Sequence, residues 1–275
     1  MTISNKKMNT ERQSFEGIET YYTTGTEKKT RIFWLHGYSL NASLWPDIWS
    51  LYPEASHTGI DLPFHGRSND LQSFRDIHQL AERTVAIARH FNCDHIAGFS
   101  FGGILALQMV IRFPDVFKTL SLISSPVGGA LFDTDAQLHN RELIRLYKEK
   151  GIGPWLTDWW VKSPPDIFTG LKKRPAAFAE IRKIIEQHQW KELDKNDFSY
   201  FTSTNQLLPI LKTTNTQFYL YIGEDDMPYI KRCNELLFRL TKTCRRYYIP
   251  DCGHLPILEE PARVIEMIRS NLNSH

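Results

Sequence analysis

The residues best able to do chemistry together are a serine, an aspartate and a histidine set far apart in the chain. Ser100 sits in Gly98-Phe99-Ser100-Phe101-Gly102-Gly103, a G-x-S-x-G pattern. Such a pattern puts a serine on a sharp turn when a strand precedes it and a helix follows. A serine hydroxyl is a weak nucleophile at neutral pH. It needs a base to take its proton, and the base needs an acid to fix its tautomer and stabilise its cation. His254, in Gly253-His254-Leu255-Pro256, suits the base, and Asp226, in Gly223-Glu224-Asp225-Asp226, suits the acid. Asp225 is the alternative acid.

The elements that must position these groups follow from hydrophobic pattern. Arg31-Ile32-Phe33-Trp34-Leu35 is a nearly continuous apolar run ending in His36-Gly37. Continuous rather than alternating apolarity implies a strand covered on both faces, as in a parallel sheet between helices. Further strands are expected over 55–60, 96–98, 116–123, 216–222 and 245–249, and a hairpin over 14–24 bent at Gly17. Helices are expected over 41–51, 76–91, 104–113, 229–240 and 261–272, with Asn41 and Asp76 near two starts and Pro261 in a first turn. Strands alternating with helices imply parallel βαβ units, whose chemistry gathers beyond the C-terminal strand ends. His36, Ser100, Asp226 and His254 all fall at such ends.

The chain divides into a frayed terminus over 1–12, an α/β core over 13–126 and 206–275, and a helical insertion over 127–205. The insertion carries Trp155, Trp159, Trp160 and Trp190 and breaks at Gly151–Pro154, Ser163–Pro165 and Pro175. No strand-like run interrupts it.

Composition narrows the partners. Among 275 residues, 41% are hydrophobic and 23% charged, with a net charge of +2, so no strong field points to nucleic acid or a membrane surface. No apolar run is long enough to span a bilayer. Cys93, Cys233, Cys244 and Cys252 form no CxxC pair, which fits reduced thiols rather than disulfides or a zinc site. The first thirteen residues are polar and do not read as a secretory signal, so the expected location is the cytoplasm. The expected partner is a small-molecule substrate; nothing in the chain sets an oligomeric state.

Five segments taken in order resemble the α/β-hydrolase superfamily. They are Trp34-Leu35-His36-Gly37-Tyr38, Asp61-Leu62-Pro63-Phe64-His65-Gly66-Arg67-Ser68, the serine turn, Gly223–Asp226 and Gly253–Pro256. The resemblance covers nearly all of the chain after the first dozen residues. It is similar to the branch with a helical cap and an esterase-like or menaquinone-synthase-like layout. It implies an α/β-hydrolase fold, a mostly parallel central sheet flanked by helices with an inserted cap, and no cofactor or metal. By that resemblance Ser100 is the nucleophile, His254 the base that becomes the acid, and Asp226 its orienting carboxylate. The backbone N–H groups of Tyr38 and Phe101 would form the oxyanion hole. In the family the 61–68 loop is structural, and glycine usually stands where this chain has Phe64.

The resemblance leaves the substrate open. His36, Phe99, Ile104, Trp155 and Trp159 are candidate pocket residues. The insertion's Trp155–Trp160 stretch, with Pro164, Phe168 and Arg182, is similar to the cap of the menaquinone-pathway SHCHC synthases. Those enzymes eliminate pyruvate from a cyclohexadiene carboxylate and use the serine in proton abstraction. They carry Ser-x-Gly-Gly-Arg; this chain has Ile104 at the arginine position. The leading expectation is therefore a serine hydrolase of esters or thioesters acting through an acyl-enzyme. The alternatives are the lyase and a hydrolase fold kept as a small-molecule binding protein.

Overall fold

A computed structural model describes residues 8–26, 28–68, 74, 76–129, 134–162, 166–194 and 203–273. Eight strands form one sheet: β1 (Thr10–Phe15), β2 (Ile18–Thr23), β3 (Thr30–Leu35), β4 (Ala55–Ile60), β5 (His95–Phe99), β6 (Thr119–Ile123), β7 (Gln217–Gly223) and β8 (Cys244–Ile249). Their order is β1-β2-β4-β3-β5-β6-β7-β8. β1 and β2 pair antiparallel, β2 pairs antiparallel with β4, and every later pair is parallel. The mostly parallel sheet is what the alternation of strands and helices implied, and it agrees with the α/β-hydrolase fold implied by the resemblance.

The helices are α1 (Trp45–Trp49), α2 (Ile77–His90), α3 (Phe101–Arg112), α4 (Thr134–Lys150), α5 (Pro154–Lys162), α6 (Thr169–Lys172), α7 (Pro175–Glu186), α8 (Pro228–Leu240), α9 (Pro256–Glu259) and α10 (Pro261–Leu272). Helices α4 to α7 lie between β6 and β7, and no strand occurs there among the described residues. The break expected at 163–165 and the first seven residues of the expected frayed terminus lie outside the described residues. Thr10–Arg12, expected to fray, instead pair with Tyr21–Thr23 in the opening hairpin. The strand expected over 116–123 starts only at Thr119, because Val116 is still in a turn and donates its N–H to Phe113 C=O. The expected 41–51 helix is a short 3₁₀ turn followed by α1, with Asn41 Oδ1 accepting from Ser43 N–H.

Side-chain alternation splits the core in two. Phe33, Leu35, Ile96, Leu120, Leu122, Phe218 and Leu220 face one layer. Ile32, Trp34, Ala97, Phe99, Ile123, Tyr219 and Tyr221 face the other. Strands β3, β5 and β7 feed both layers, so their apolar runs have no polar alternates. Helix α3 is buried from Phe101 to Ile111. It can lie that close to the sheet only because glycines stand at 102 in its first turn and at 98 in β5. A Cβ at Gly102 would stand 2.5 Å from His36 O and 2.6 Å from Leu35 O, and one at Gly98 would stand 2.7 Å from Gly103 Cα.

These are backbone obstacles, which no rotamer change relieves. Gly102→Ala is expected to lower stability by about 1–3 kcal/mol, seen as a Tm drop of roughly 3–10 °C in a thermal melt. An unchanged Tm would mean that the α3–β3 approach is looser than described.

Candidate active site

Ser100 lies between β5 and α3 at φ 48, ψ −118, in the left-handed region that non-glycine residues avoid. Its N–H donates to Ile123 C=O at 2.9 Å and its C=O accepts from Gly103 N–H at 2.9 Å. The turn lifts the side chain out of the sheet at the N-terminus of α3, where the helix dipole is positive.

Ser100 Oγ is 2.8 Å from His254 Nε2, and His254 Nδ1 is 2.9 Å from Asp226 Oδ1. A carboxylate only accepts, so Nδ1 carries the proton and Nε2 offers its lone pair to the serine hydroxyl. The same Asp226 oxygen accepts from Met227 N–H at 2.7 Å. Asp226 and His254 are 3% exposed, which shields their pairing from water. Of the two candidate acids, Asp226 faces the imidazole. Asp225 is exposed, with Lys173 Nζ 3.4 Å from its carboxylate.

The loop after β3 closes on the serine. A Cβ at Gly37 would meet Ser100 Cβ at 3.4 Å and Phe99 Cε1 at 3.3 Å. Tyr38 follows Gly37 and its ring is 6.0 Å from that of Phe101. Two buried imidazoles pin this loop. His36 Nδ1–H donates to Gly37 C=O at 2.8 Å, while its Nε2 accepts from Leu62 N–H at 2.9 Å. His65 Nδ1–H donates to Pro63 C=O at 2.8 Å, and its Nε2 accepts from Ser39 N–H at 3.1 Å. Asp61 completes the seam by accepting from Ala42 N–H at 2.7 Å and Arg67 N–H at 2.8 Å.

Of the proposed pocket residues, Ile104 belongs to the first core layer and Phe99 to the second, against which Trp155 and Trp159 pack. His36 is fully buried with both nitrogens engaged by backbone, so it has no atom left for a ligand. Phe99 is fully buried, 6.5 Å from the His254 ring. Ile104 is also buried, and its C=O accepts from Gln206 Nε2 at 2.9 Å. Trp155 donates its indole N–H to Gly151 C=O at 3.0 Å, and Trp159 stacks on His139 at 5.9 Å.

One carboxylate escaped the sequence reading. Glu259, 4% exposed, accepts from Gly253 N–H at 2.8 Å and Leu255 N–H at 3.0 Å, the amides on either side of His254. Burial pushes its carboxyl pKa up, against these two donors and Arg174. The available signal was an acid one helical turn beyond the Gly-His pair, a variation on the capping box.

An eight-stranded, mostly parallel sheet with a serine on its strand-to-helix turn, hydrogen-bonded to a histidine and an aspartate on later loops, defines an α/β-hydrolase architecture. The model of the alpha/beta hydrolase family matches residues 32–267, and the chain belongs to that family. A curated relative, the 2-succinyl-6-hydroxy-2,4-cyclohexadiene-1-carboxylate synthase of Citrobacter koseri, is 24% identical and covers 86% of this chain and 91% of its own. Among solved structures, MenH from S. aureus superposes with TM-score 0.80 at 19% identity, covering 94% of this chain and 98% of the other. A thermophilic esterase from Thermogutta terrifontis gives TM-score 0.76 at 19% identity over 94% of both chains.

Two predictions follow from the buried polar groups. Glu259→Ala leaves two amides without acceptors, so stability should fall by about 2–5 kcal/mol in urea titration. Wild-type stability would count against the cradle.

The second concerns acid. Burial holds His36 at about 3, His57 at about 4 and His65 well below its ordinary value of 6.5. The folded rings stay neutral while the unfolded chain takes up protons below pH 6.5. This stability is complete above that pH and is lost as pH falls. Burial raises Asp61 to about 6 and Glu259 in the same sense, which offsets part of the loss. The unfolding free energy should therefore fall by roughly 1–3 kcal/mol per pH unit between about pH 6 and 5. A flat profile there would contradict neutral imidazoles.

Proposed function

We propose that the protein is a serine hydrolase of an ester, thioester or related carbonyl compound. The observation that carries this reading is the Ser100 Oγ–His254 Nε2–Asp226 series, with contacts of 2.8 and 2.9 Å. Ser100 would attack the carbonyl carbon as His254 takes its proton. The tetrahedral oxyanion would sit against the N–H groups of Tyr38 and Phe101, a type of donor worth roughly 2.7–4 kcal/mol each in the barrier. His254 would then protonate the leaving group. Water activated by the same imidazole would release the acid from the acyl-enzyme.

The helical segment between β6 and β7 would act as a cap that selects the substrate. Two features favour an apolar, uncharged acyl group. Ile104 stands near the serine where the synthases carry a cation. The segment's two half-buried arginines are already paired, Arg174 with Glu260 at 2.7 Å and Arg182 with Asp158 at 2.5 Å. A second reading, the pyruvate-eliminating lyase, is favoured by the near full-length similarity to the Citrobacter koseri synthase.

A fluorophosphonate probe should label wild-type protein at Ser100 and leave Ser100→Ala unlabelled. p-Nitrophenyl and thioester acyl series should turn over, with kcat falling by about 10⁴-fold or more in Ser100→Ala. Folded protein that neither labels nor cleaves esters, yet releases pyruvate from the cyclohexadiene substrate, would establish the lyase instead.

A further inference from the structure

Tyr38 supplies more than a backbone amide. Its phenol O–H donates to Glu192 Oε1 at 2.7 Å, across 154 residues of chain. His188 Nε2–H donates to the same oxygen at 3.0 Å. Glu192 is 1% and His188 5% exposed. Both belong to the helical segment, beyond α7, and neither was marked by any motif. Trp190 between them takes φ 55. That left-handed residue turns the chain into the 3₁₀ helix Lys191–Leu193, so that the side chains at 188 and 192 converge.

The surroundings are aromatic. The Tyr38 ring meets Trp160 edge-on at 4.9 Å and His188 at 5.6 Å, and His188 packs against Trp190 and His65 at 4.6 Å each. Apolar side chains at 38 and 192 would fill this space without burying a carboxylate. Glu192 Oε2 and His188 Nδ1 are buried without hydrogen-bond partners, so the fold keeps a group that is costly to desolvate. Its evident return is geometric. Tyr38 lies between Gly37, which abuts Ser100, and Ser39, which takes φ 60 and is held by His65. His36 and His65 fix the loop from the core. Glu192 fixes it from the helical segment.

We propose that Glu192 is a positioning residue: by holding the Tyr38 phenol it sets the Tyr38 backbone N–H against Ser100, and so couples seating of the helical segment to completion of the oxyanion hole. This rests on the hydrolase reading for the role of that N–H, but the mechanical coupling can be measured without any substrate. His188 holds the second lobe of the same carboxylate oxygen and so orients Glu192.

The test combines amide hydrogen exchange with ester kinetics on Tyr38→Phe, Glu192→Ala, Glu192→Gln and the Tyr38→Phe/Glu192→Ala double variant. Exchange at the amides of Tyr38 to Leu40 should quicken by about 10-fold or more in Tyr38→Phe and Glu192→Ala, with β7 unchanged. kcat should fall by roughly 10–100-fold with KM little altered, since a misplaced donor acts on the transition state. The double variant should be no worse than the worse single, and Glu192→Gln, which keeps an acceptor oxygen, should recover most of the rate. Unchanged loop exchange, an effect on KM alone, or losses that multiply in the double variant would each overturn the proposal. Tyr38→Phe removes one hydroxyl and carries the test if Glu192→Ala does not fold. Wild-type protein that is inactive on esters and unlabelled by fluorophosphonate would defeat the hydrolase reading, while the exchange comparison would still decide the coupling.

Discussion

The backbone of Ser100 is the constraint on which the rest of the molecule depends. At φ 48, ψ −118 it occupies a conformation that costs of order 1–3 kcal/mol and persists only where neighbours over-determine it. The neighbours here are specific. β6 accepts the Ser100 amide, α3 folds back to donate to its carbonyl, and glycines at 98 and 102 let the helix press against β5 and β3. Relaxing the serine would require lifting α3 off the sheet. That would expose a helix whose first eleven residues are buried. The strain at one residue is held by the burial of an entire helix.

The same edge of the sheet shows further left-handed residues that are not glycine. Ser39, Ser124 and Asp251 have φ of 60, 46 and 58, each just beyond a strand, and Phe64 has 64 in the loop after β4. Loops that reverse this sharply lose ladder partners, and buried side chains replace them. His36, His65 and Asp61 satisfy the amides around the 36–39 and 61–68 loops, and Glu259 satisfies those around His254. Each imidazole donates through Nδ1 and accepts through Nε2, which requires the neutral ring that burial enforces. Loop shape and proton state therefore depend on each other.

This division explains what could be read from the chain. Ser100 and His254 stand in short motifs because their turns need particular residues at fixed offsets. The resemblance favours Asp226 over Asp225 by its offset from Gly223, and of the two it is Asp226 that faces the imidazole. Thr10–Arg12 read as frayed because an edge hairpin strand needs no apolar run. His36 read as a pocket residue because a histidine at a strand end is chemically conspicuous, and its two backbone bonds leave no local trace. Glu192 acts on the Tyr38 phenol across 154 residues, with no periodicity to betray it, whereas His188 and Glu259 act within six residues and leave at most a weak local spacing. Trp155 and Trp159 were marked by type alone, and type does not tell a ligand wall from a helix packing on its neighbour.

Among the described residues, polar contacts tie the helical segment and the turn just after it to α3 and to the loops around Asp226, His254 and Tyr38, Lys173 meeting Asp225 in the first of these loops. Gln206 bonds the carbonyl of Ile104 in the first turn of α3, Arg174 reaches the carboxylates of Glu259 and Glu260 beneath the His254 loop, and Glu192 holds Tyr38. One tie would anchor the segment; contacts to several separate elements fix its orientation. On the proposed hydrolase reading, a substitution that tilts the segment to admit a different substrate would also pull on α3, the His254 loop or the Tyr38 loop. Selectivity and rate would then not be separable by simple exchange of helices, and a new pocket would have to be carved by side chains that leave Gln206, Arg174 and Glu192 in place.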